Sequence, residues 1–202
     1  MLRCDLSRVV VLSDIHGNAA ALEAVWADIT RRNVDHVLCL GDLIAFGPHP
    51  VEVLNFLAQE VKPSVVLRGN TDRYLLERVW DKRKKSSLPV DMRKSLGWTG
   101  KKLKEKEWEQ LASLGEEQAY SVEQMLLFLC HASPGNDEKG VIPGESKQLK
   151  SAFRKVSADV VLCGHTHLPG RTQVGGKTVL NTGSVGMPYG RDPRASYLSF
   201  IV

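Results

Sequence analysis

At 202 residues the chain suits one domain with a sizeable hydrophobic core. Its 43% hydrophobic and 25% charged residues are ordinary for a globular protein, which argues against a disordered or fibrous chain. Its apolar runs fall well short of the ~18 residues of a membrane span, and Met1-Leu2-Arg3-Cys4-Asp5 lacks the apolar stretch of a signal peptide, so the expected setting is the cytoplasm with no membrane partner. The net charge of +4 is unevenly placed. Residues 82–106 hold ten Lys and Arg against Asp91 and Glu105, a net of +8, which leaves −4 for the remainder. Such a run reads as a solvated helical face, or as a basic lip for an anionic substrate or nucleic acid. Cys39, Cys130 and Cys163 lie in apolar runs and, like Cys4, form no C-x-x-C pair, so they read as small buried hydrophobes.

The first predicted element is a buried strand, Arg8-Val9-Val10-Val11-Leu12-Ser13, running into Asp14-Ile15-His16-Gly17-Asn18. Asp14 and His16, two residues apart at a strand end, point the same way and can reach one ion. Asn18 is a plausible N-cap for a helix carrying Leu22, Val25, Trp26 and Ile29 on one face. The second strand, His36 to Leu40, ends at Gly41-Asp42. Pro50 suits the first turn of the next helix, and His49 before it is a weak substrate-side candidate. The third strand, Ser64 to Leu67, ends at Gly69-Asn70-Thr71-Asp72-Arg73, with a helix from Tyr74 to Trp80. This alternation argues for parallel strands joined by helical crossovers.

Residues 81–118 break the rhythm. Two short helices, around Leu96 and around Trp108 to Leu114, form a basic insertion expected to lie over the sheet ends within a single domain of residues 1–202. The buried strand Met125 to Cys130 ends at His131, and a helix is expected from Glu145 to Val156. The strand Asp159 to Cys163 opens onto Gly164-His165-Thr166-His167. Arg171 to Val174 and Thr178 to Leu180 flank Gly175-Gly176 as a hairpin, and Ala195 to Val202 reads as a closing strand.

Five strand ends thus carry Asp14 with His16, Asp42, Asn70, His131, and His165 with His167. In parallel sheets ligands bind beyond the carboxyl ends of the strands, so these seven side chains should converge. Carboxylate, amide oxygen and imidazole together suit Mn, Fe, Zn, Co or Ni better than Ca. A pair of such ions about 3.5–4 Å apart needs a bridging group, and Asp42, in the middle of the order, is the natural one.

The series Asp14-x-His16, Gly41-Asp42, Gly69-Asn70-x-Asp72, His131 and Gly164-His165-x-His167 resembles the calcineurin-like metallophosphoesterase superfamily. Asn181-x-Gly183-Ser184-Val185-Gly186 and Asp192-Pro193-Arg194-Ala195-Ser196-Tyr197 resemble its small bacterial and archaeal phosphodiesterase-like members. The resemblance implies an α/β fold, a four-layer αββα sandwich of two mixed β-sheets flanked by helices. It implies two divalent metal ions, Mn foremost, one held by Asp14, His16, Asp42 and His167 and the other by Asp42, Asn70, His131 and His165. The activity implied is hydrolysis of phosphodiesters, with phosphomonoesters as the lesser candidates, by in-line attack of a hydroxide bridging the ions. Small phosphoesters or nucleotides would be the substrates. Asp72 would orient a neighbouring ligand or loop, and Asn18, Asn70 and Arg73 are the candidate substrate contacts.

Two departures matter. Many members carry a histidine after the asparagine to protonate the leaving oxygen; here Thr71 stands there, and its hydroxyl has far too high a pKa for that role. Where the protein phosphatases of the superfamily place an arginine after the bridging aspartate, Ile44-Ala45-Phe46 stand here. The alternative reading is a scaffold that retains the fold and has lost most of its catalysis.

Overall fold

β-branched residues pack well on a pleated surface, and a parallel sheet buries both of its faces. Val9, Val10 and Val11 therefore belong at a sheet centre. The computed structural model describes residues 6–142 and 149–202. In chain order it contains β1 (Arg8–Leu12), α1 (Ala19–Ile29), β2 (His36–Cys39), α2 (Pro50–Phe56), β3 (Val65–Val66), α3 (Asn70–Leu76), α4 (Val90–Lys102) and α5 (Glu105–Ala112). There follow β4 (Glu117–Val122), β5 (Met125–Cys130), α6 (Lys150–Arg154), β6 (Val160–Cys163), β7 (Gly170–Val174), β8 (Lys177–Asn181) and β9 (Leu198–Ile201). Among the described residues, no helix is long and apolar enough to cross a membrane.

The strands form two mixed sheets, ordered β3-β2-β1-β9 and β4-β5-β6-β8-β7. β1, β2 and β3 are parallel, while β9 runs antiparallel to β1. In the second sheet β5, β6 and β8 are parallel, and β4 and β7 close its edges antiparallel. Alternation along each strand sorts the core into layers. Val9, Val11, Leu38 and Leu40 face the other sheet and pack with Leu127, Leu129 and Leu162. Val10, Leu12, Val37 and Cys39 face outward with Leu22, Val25 and Ile29 of α1 and Val53 and Leu54 of α2. On the far side Val161, Cys163 and Val179 pack with Phe153 of α6. The α/β architecture of two mixed sheets with flanking helices is the one expected, and it brings the ends of β1, β2, β3, β5 and β6 to one edge of the sandwich.

Three elements differ from expectation. β4 is a strand where the sequence shows no strand signal, because Glu-Gln-Ala-Tyr-Ser-Val is a mostly exposed edge, and edge strands favour polar residues. α3 starts at Asn70 rather than Tyr74, since Asp72 turns back to accept from the Gly69 backbone N–H at 3.0 Å and so caps the helix earlier. The basic insertion does not lie over the sheet ends. Leu96, Leu103 and Leu111 enter the outer core beside Leu54 and Leu75, and Trp108 stacks on Trp80 with centroids 6.3 Å apart. Its apolar stripe needs a buried partner, which α2 and α3 provide. α6 begins at Lys150; the expected start at Glu145 lies outside the described residues.

His36, at the start of β2, meets Tyr120 Oη of β4 through Nδ1 at 2.9 Å and so links the two sheets. Tyr120→Phe should lower stability by about 0.5–1.5 kcal/mol, the usual net worth of one hydrogen bond, read as a lower urea midpoint at unchanged slope.

Candidate metal centre

Each candidate ligand sits just past a strand end, and the backbone there is unusual. Asp14, His16, Asp42, His165 and His167 all have positive φ, at 55°, 50°, 54°, 65° and 59°. A left-handed conformation costs a residue with a Cβ roughly 1–2 kcal/mol, so five at one site need strong fixing from outside. Cross-links between loops supply it. Asp14 N–H donates to Gly41 O at 3.0 Å, His16 N–H to Asp42 O at 2.9 Å and Gly164 N–H to His131 O at 2.8 Å. Ser184 Oγ donates to Asp14 O at 2.7 Å, and His165 N–H to Asp14 Oδ2 at 2.9 Å. Two glycines let the loops close in. A Cβ on Gly69 would lie 2.1 Å from Asp42 Oδ1, and one on Gly164 would lie 2.1 Å from Ser13 Oγ and 2.5 Å from Asp14 Oδ2.

Three histidines face backbone carbonyls through Nδ1. His16 meets Ala45 O at 3.2 Å, His131 meets Leu40 O at 2.9 Å and His167 meets Met187 O at 2.6 Å. A carbonyl only accepts, so Nδ1 carries a proton and Nε2 is the atom left facing inward, able to ligate a cation that takes the place of any proton there. Those Nε2 atoms crowd together: His16 and His167 lie 3.1 Å apart, and His167 lies 3.2 Å from Asp14 Oδ1. His131 Nε2 lies 3.1 Å from Asn70 Oδ1, which is 3.0 Å from His165 Nδ1. Asp42 faces both ways, with Oδ2 3.6 Å from His16 Nε2 and Oδ1 3.5 Å from His131 Nε2. Asp14 also lies within reach of both groups.

This donor set fits divalent cations. Asp14 Oδ1 is buried without a hydrogen-bond partner, which is costly for a carboxylate oxygen unless positive charge faces it. The titration behaviour carries the same sign. Burial alone would lower the His131 imidazole, but the charges of Asp42 and Asp14 raise it to about 10. Burial alone would raise Asp42, yet His131 and His16 hold it below the ordinary carboxylate range. Asp14 is likewise lowered against the effect of its burial, through His167 and His131. His16 and His165 are pushed down, by burial first. The pocket thus draws in positive charge, and the donors are of the kinds that suit borderline transition metals.

The remaining candidates divide. Asp72 is fully buried and accepts from Leu43 N–H at 3.1 Å as well as from Gly69, tying the loop after β2 to the start of α3. Burial and the nearby Asp42 raise its carboxyl to about 7. Thr71 is buried beside Asp42, donating its N–H to Oδ1 at 2.9 Å, and its Oγ1 has no partner. Arg73 is engaged by Asp137 at 2.7 Å, Glu138 at 2.5 Å and Glu77 at 3.1 Å. Asn18 caps α1 through Oδ1, accepting from Ala21 N–H at 3.1 Å, and donates Nδ2 to Gly186 O at 3.0 Å. Both ends of its amide are therefore occupied by structure. His49 stands exposed at the N-cap of α2 and makes no capping bond through its side chain. Arg194 and Asp192 form an exposed pair at 2.6 Å. Ser184 and the carbonyls of Leu40, Ala45 and Met187 were missed as parts of the site. A backbone carbonyl leaves no mark in a sequence, and only Ser184, within the Asn181-x-Gly183-Ser184 stretch, had a signal. Asp72→Asn turns one acceptor into a donor facing an N–H, so metal affinity should fall about 10–100-fold, measured by calorimetric titration with Mn.

The sequence model of the calcineurin-like phosphoesterase superfamily domain matches residues 8–201. The uncharacterized protein MJ0912 of Methanocaldococcus jannaschii is 29% identical over 214 residues, spanning 96% of this chain and 82% of that protein. Phosphodiesterase YfcE of Escherichia coli is 25% identical over 200 residues, spanning 95% of this chain and 86% of that one. A metallophosphoesterase of Sphaerobacter thermophilus superposes with a TM-score of 0.75 at 25% identity, over 96% of this chain and 83% of the other. A hypothetical protein of Pyrococcus horikoshii shares the fold at a TM-score of 0.81 and 20% identity, over 95% of this chain and 87% of its own. A match running from β1 to β9, over strand ends that bear the carboxylates and imidazoles such a site requires, leaves one conclusion: the chain belongs to the calcineurin-like phosphoesterase superfamily.

Proposed function

We propose that the protein is a dinuclear metal-dependent phosphodiesterase. The observation that carries this reading is Asp42, whose Oδ2 lies 3.6 Å from His16 Nε2 and whose Oδ1 lies 3.5 Å from His131 Nε2, so that one carboxylate reaches two donor sets. The name of the relative YfcE, a phosphodiesterase, supports the same class. Two divalent cations, held by Asp14, His16, Asp42 and His167 and by Asp42, Asn70, His131 and His165, would activate a water and neutralise phosphate oxygens.

The chain's own residues account for the rest. His16, His131 and His167 are held in orientation by backbone carbonyls at Nδ1, so their Nε2 atoms are preorganised. Asp14 and Asp42 stay ionised across the neutral range and hold the charge that the cations balance. Arg68 is paired with Glu116 and Arg73 with three carboxylates, so neither guanidinium is free to clamp a dianion. Beyond Asp42 the chain is apolar and largely buried at Leu43, Ile44 and Ala45. A diester monoanion suits such a site better than a monoester dianion. Thr71 cannot protonate a leaving oxygen, so leaving groups that depart as stable anions are favoured.

The test is turnover after loading with Mn, Fe, Co, Ni or Zn in turn. Bis(p-nitrophenyl) phosphate should be hydrolysed faster than p-nitrophenyl phosphate, and both faster than a dialkyl phosphate. No turnover of any ester with any of the five metals would overturn the reading.

A further inference from the structure

Beside the ligand loop lies a cavity of about 250 Å³ whose wall, among the described residues, carries no charge. Ile142, Leu168, Pro169, Thr172 and Val179 line it, and so does Thr166, the residue between His165 and His167. The cavity and the metal centre share the two sides of one three-residue turn. Gly140 ties them further: a Cβ there would lie 2.6 Å from Thr166 Cγ2 and 2.9 Å from His165 Cδ2. The rim is apolar yet open to solvent. Ile142 is 43% exposed and Leu168 45%, and outside the cavity the exposed Tyr189 ring lies over His167 with centroids 4.4 Å apart. An exposed apolar cluster next to a site built for charge asks for an apolar portion of the same ligand.

We propose that this cavity is the subsite for one ester group of the phosphodiester, a single uncharged planar ring such as an aryl group or a pyrimidine base. The inference rests on the phosphodiesterase reading above and narrows its substrate. An apolar cavity of about 150 Å³ already accepts benzene, so this one has room for a single ring. Among the described residues no counter-charge lines the wall, which disfavours a second phosphate in that direction. Thr166 supplies one polar mark. Its Oγ1 accepts from Asn181 Nδ2 at 3.0 Å, so its own proton is left to donate to a ring substituent or a base carbonyl.

The experiment compares phosphonates that the metal-loaded full chain binds without hydrolysing them. Phenylphosphonate and a pyrimidine nucleoside methylphosphonate represent the two sources of the ring, and methylphosphonate is the reference. At least one ring-bearing probe should bind roughly tenfold tighter than methylphosphonate, and whichever does identifies the source. Leu168→Asp and Thr172→Asp should each bring that ratio close to one. Thr172 lies on β7, outside the ligand loop, so its variant reads the cavity without disturbing His167. Leu126→Asp, at the start of β5, should leave the ratio in place. Equal affinities for all three probes, or a ratio indifferent to both cavity variants, would overturn the subsite. If no phosphonate binds, the phosphodiesterase reading fails, and the cavity is decided separately by titrating metal-free protein with p-nitrophenol. NMR shifts confined to Thr166, Leu168 and Val179 would then support it, and shifts elsewhere or none would overturn it.

Discussion

Asp42→Asn should lower kcat/KM for a phosphodiester by about 10³-fold or more at metal concentrations that saturate the unaltered protein. The substitution is nearly isosteric, and an amide oxygen at the Oδ1 position can still accept from Thr71 N–H. The fold should therefore survive, and the loss is chemical. Asp42 alone among the candidate ligands turns a different oxygen toward each histidine group, His16 on one side and His131 on the other. An amide nitrogen in place of one oxygen has no lone pair to give, and a full negative charge disappears from a buried site. Every tenfold corresponds to about 1.4 kcal/mol, so losing one shared donor and several kcal/mol of charge stabilisation reaches three decades without difficulty. The loss should appear in kcat as well as kcat/KM, because the group acts on charge that develops in the transition state. Activity within tenfold of the parent at saturating metal would mean that Asp42 does not join two ions.

The parts of this site that could be read from the sequence are those where a buried strand run ends in a chemical residue type. Asp14 with His16 and His165 with His167 stand out because a buried run before each marks the strand, although the left-handed backbone past the strand end, and not the strand period, is what turns both members of each pair to the site. Asn70 and His131 were legible for the same reason. What holds those side chains was not legible. The Nδ1 partners of three histidines are main-chain carbonyls, and Arg73 finds its carboxylates at Asp137 and Glu138, more than sixty positions away. Pairings across that separation depend on how the two sheets face each other, which no local pattern encodes. β4 escaped for another reason: an exposed edge strand needs no apolar alternation, so Glu117 to Val122 reads as loop. The insertion's helices were visible but not their docking, since an apolar stripe tells that a face is covered and not by what.

Metal removal tests the cage as a whole. Protein stripped with a chelator and then given Mn at about 100 times the dissociation constant should gain about 2.7 kcal/mol of stability for each site filled. For a chain of this size, each kcal/mol moves the melting temperature by roughly 2–4 °C, so filling one site raises it by about 5–11 °C and filling both by more. Two features of the molecule keep that dissociation constant low and keep the unfolded chain from competing for the ion. Five ligands are held in left-handed backbone conformations by bonds between loops, so little rearrangement is needed on binding. The unfolded chain, by contrast, scatters the same side chains over more than 150 positions and gathers them only at great entropic cost. Far-ultraviolet circular dichroism should change little, because the strands that carry the ligands are packed on both faces with or without the ion. Ca at the same concentration should shift the transition far less, since imidazole is a poor donor to a hard cation. Asp42→Asn should cut the Mn-induced rise by half or more, because it weakens both sites together. A melting temperature indifferent to Mn, or one raised equally by Ca, would show that the convergence of these seven side chains does not constitute a transition-metal centre.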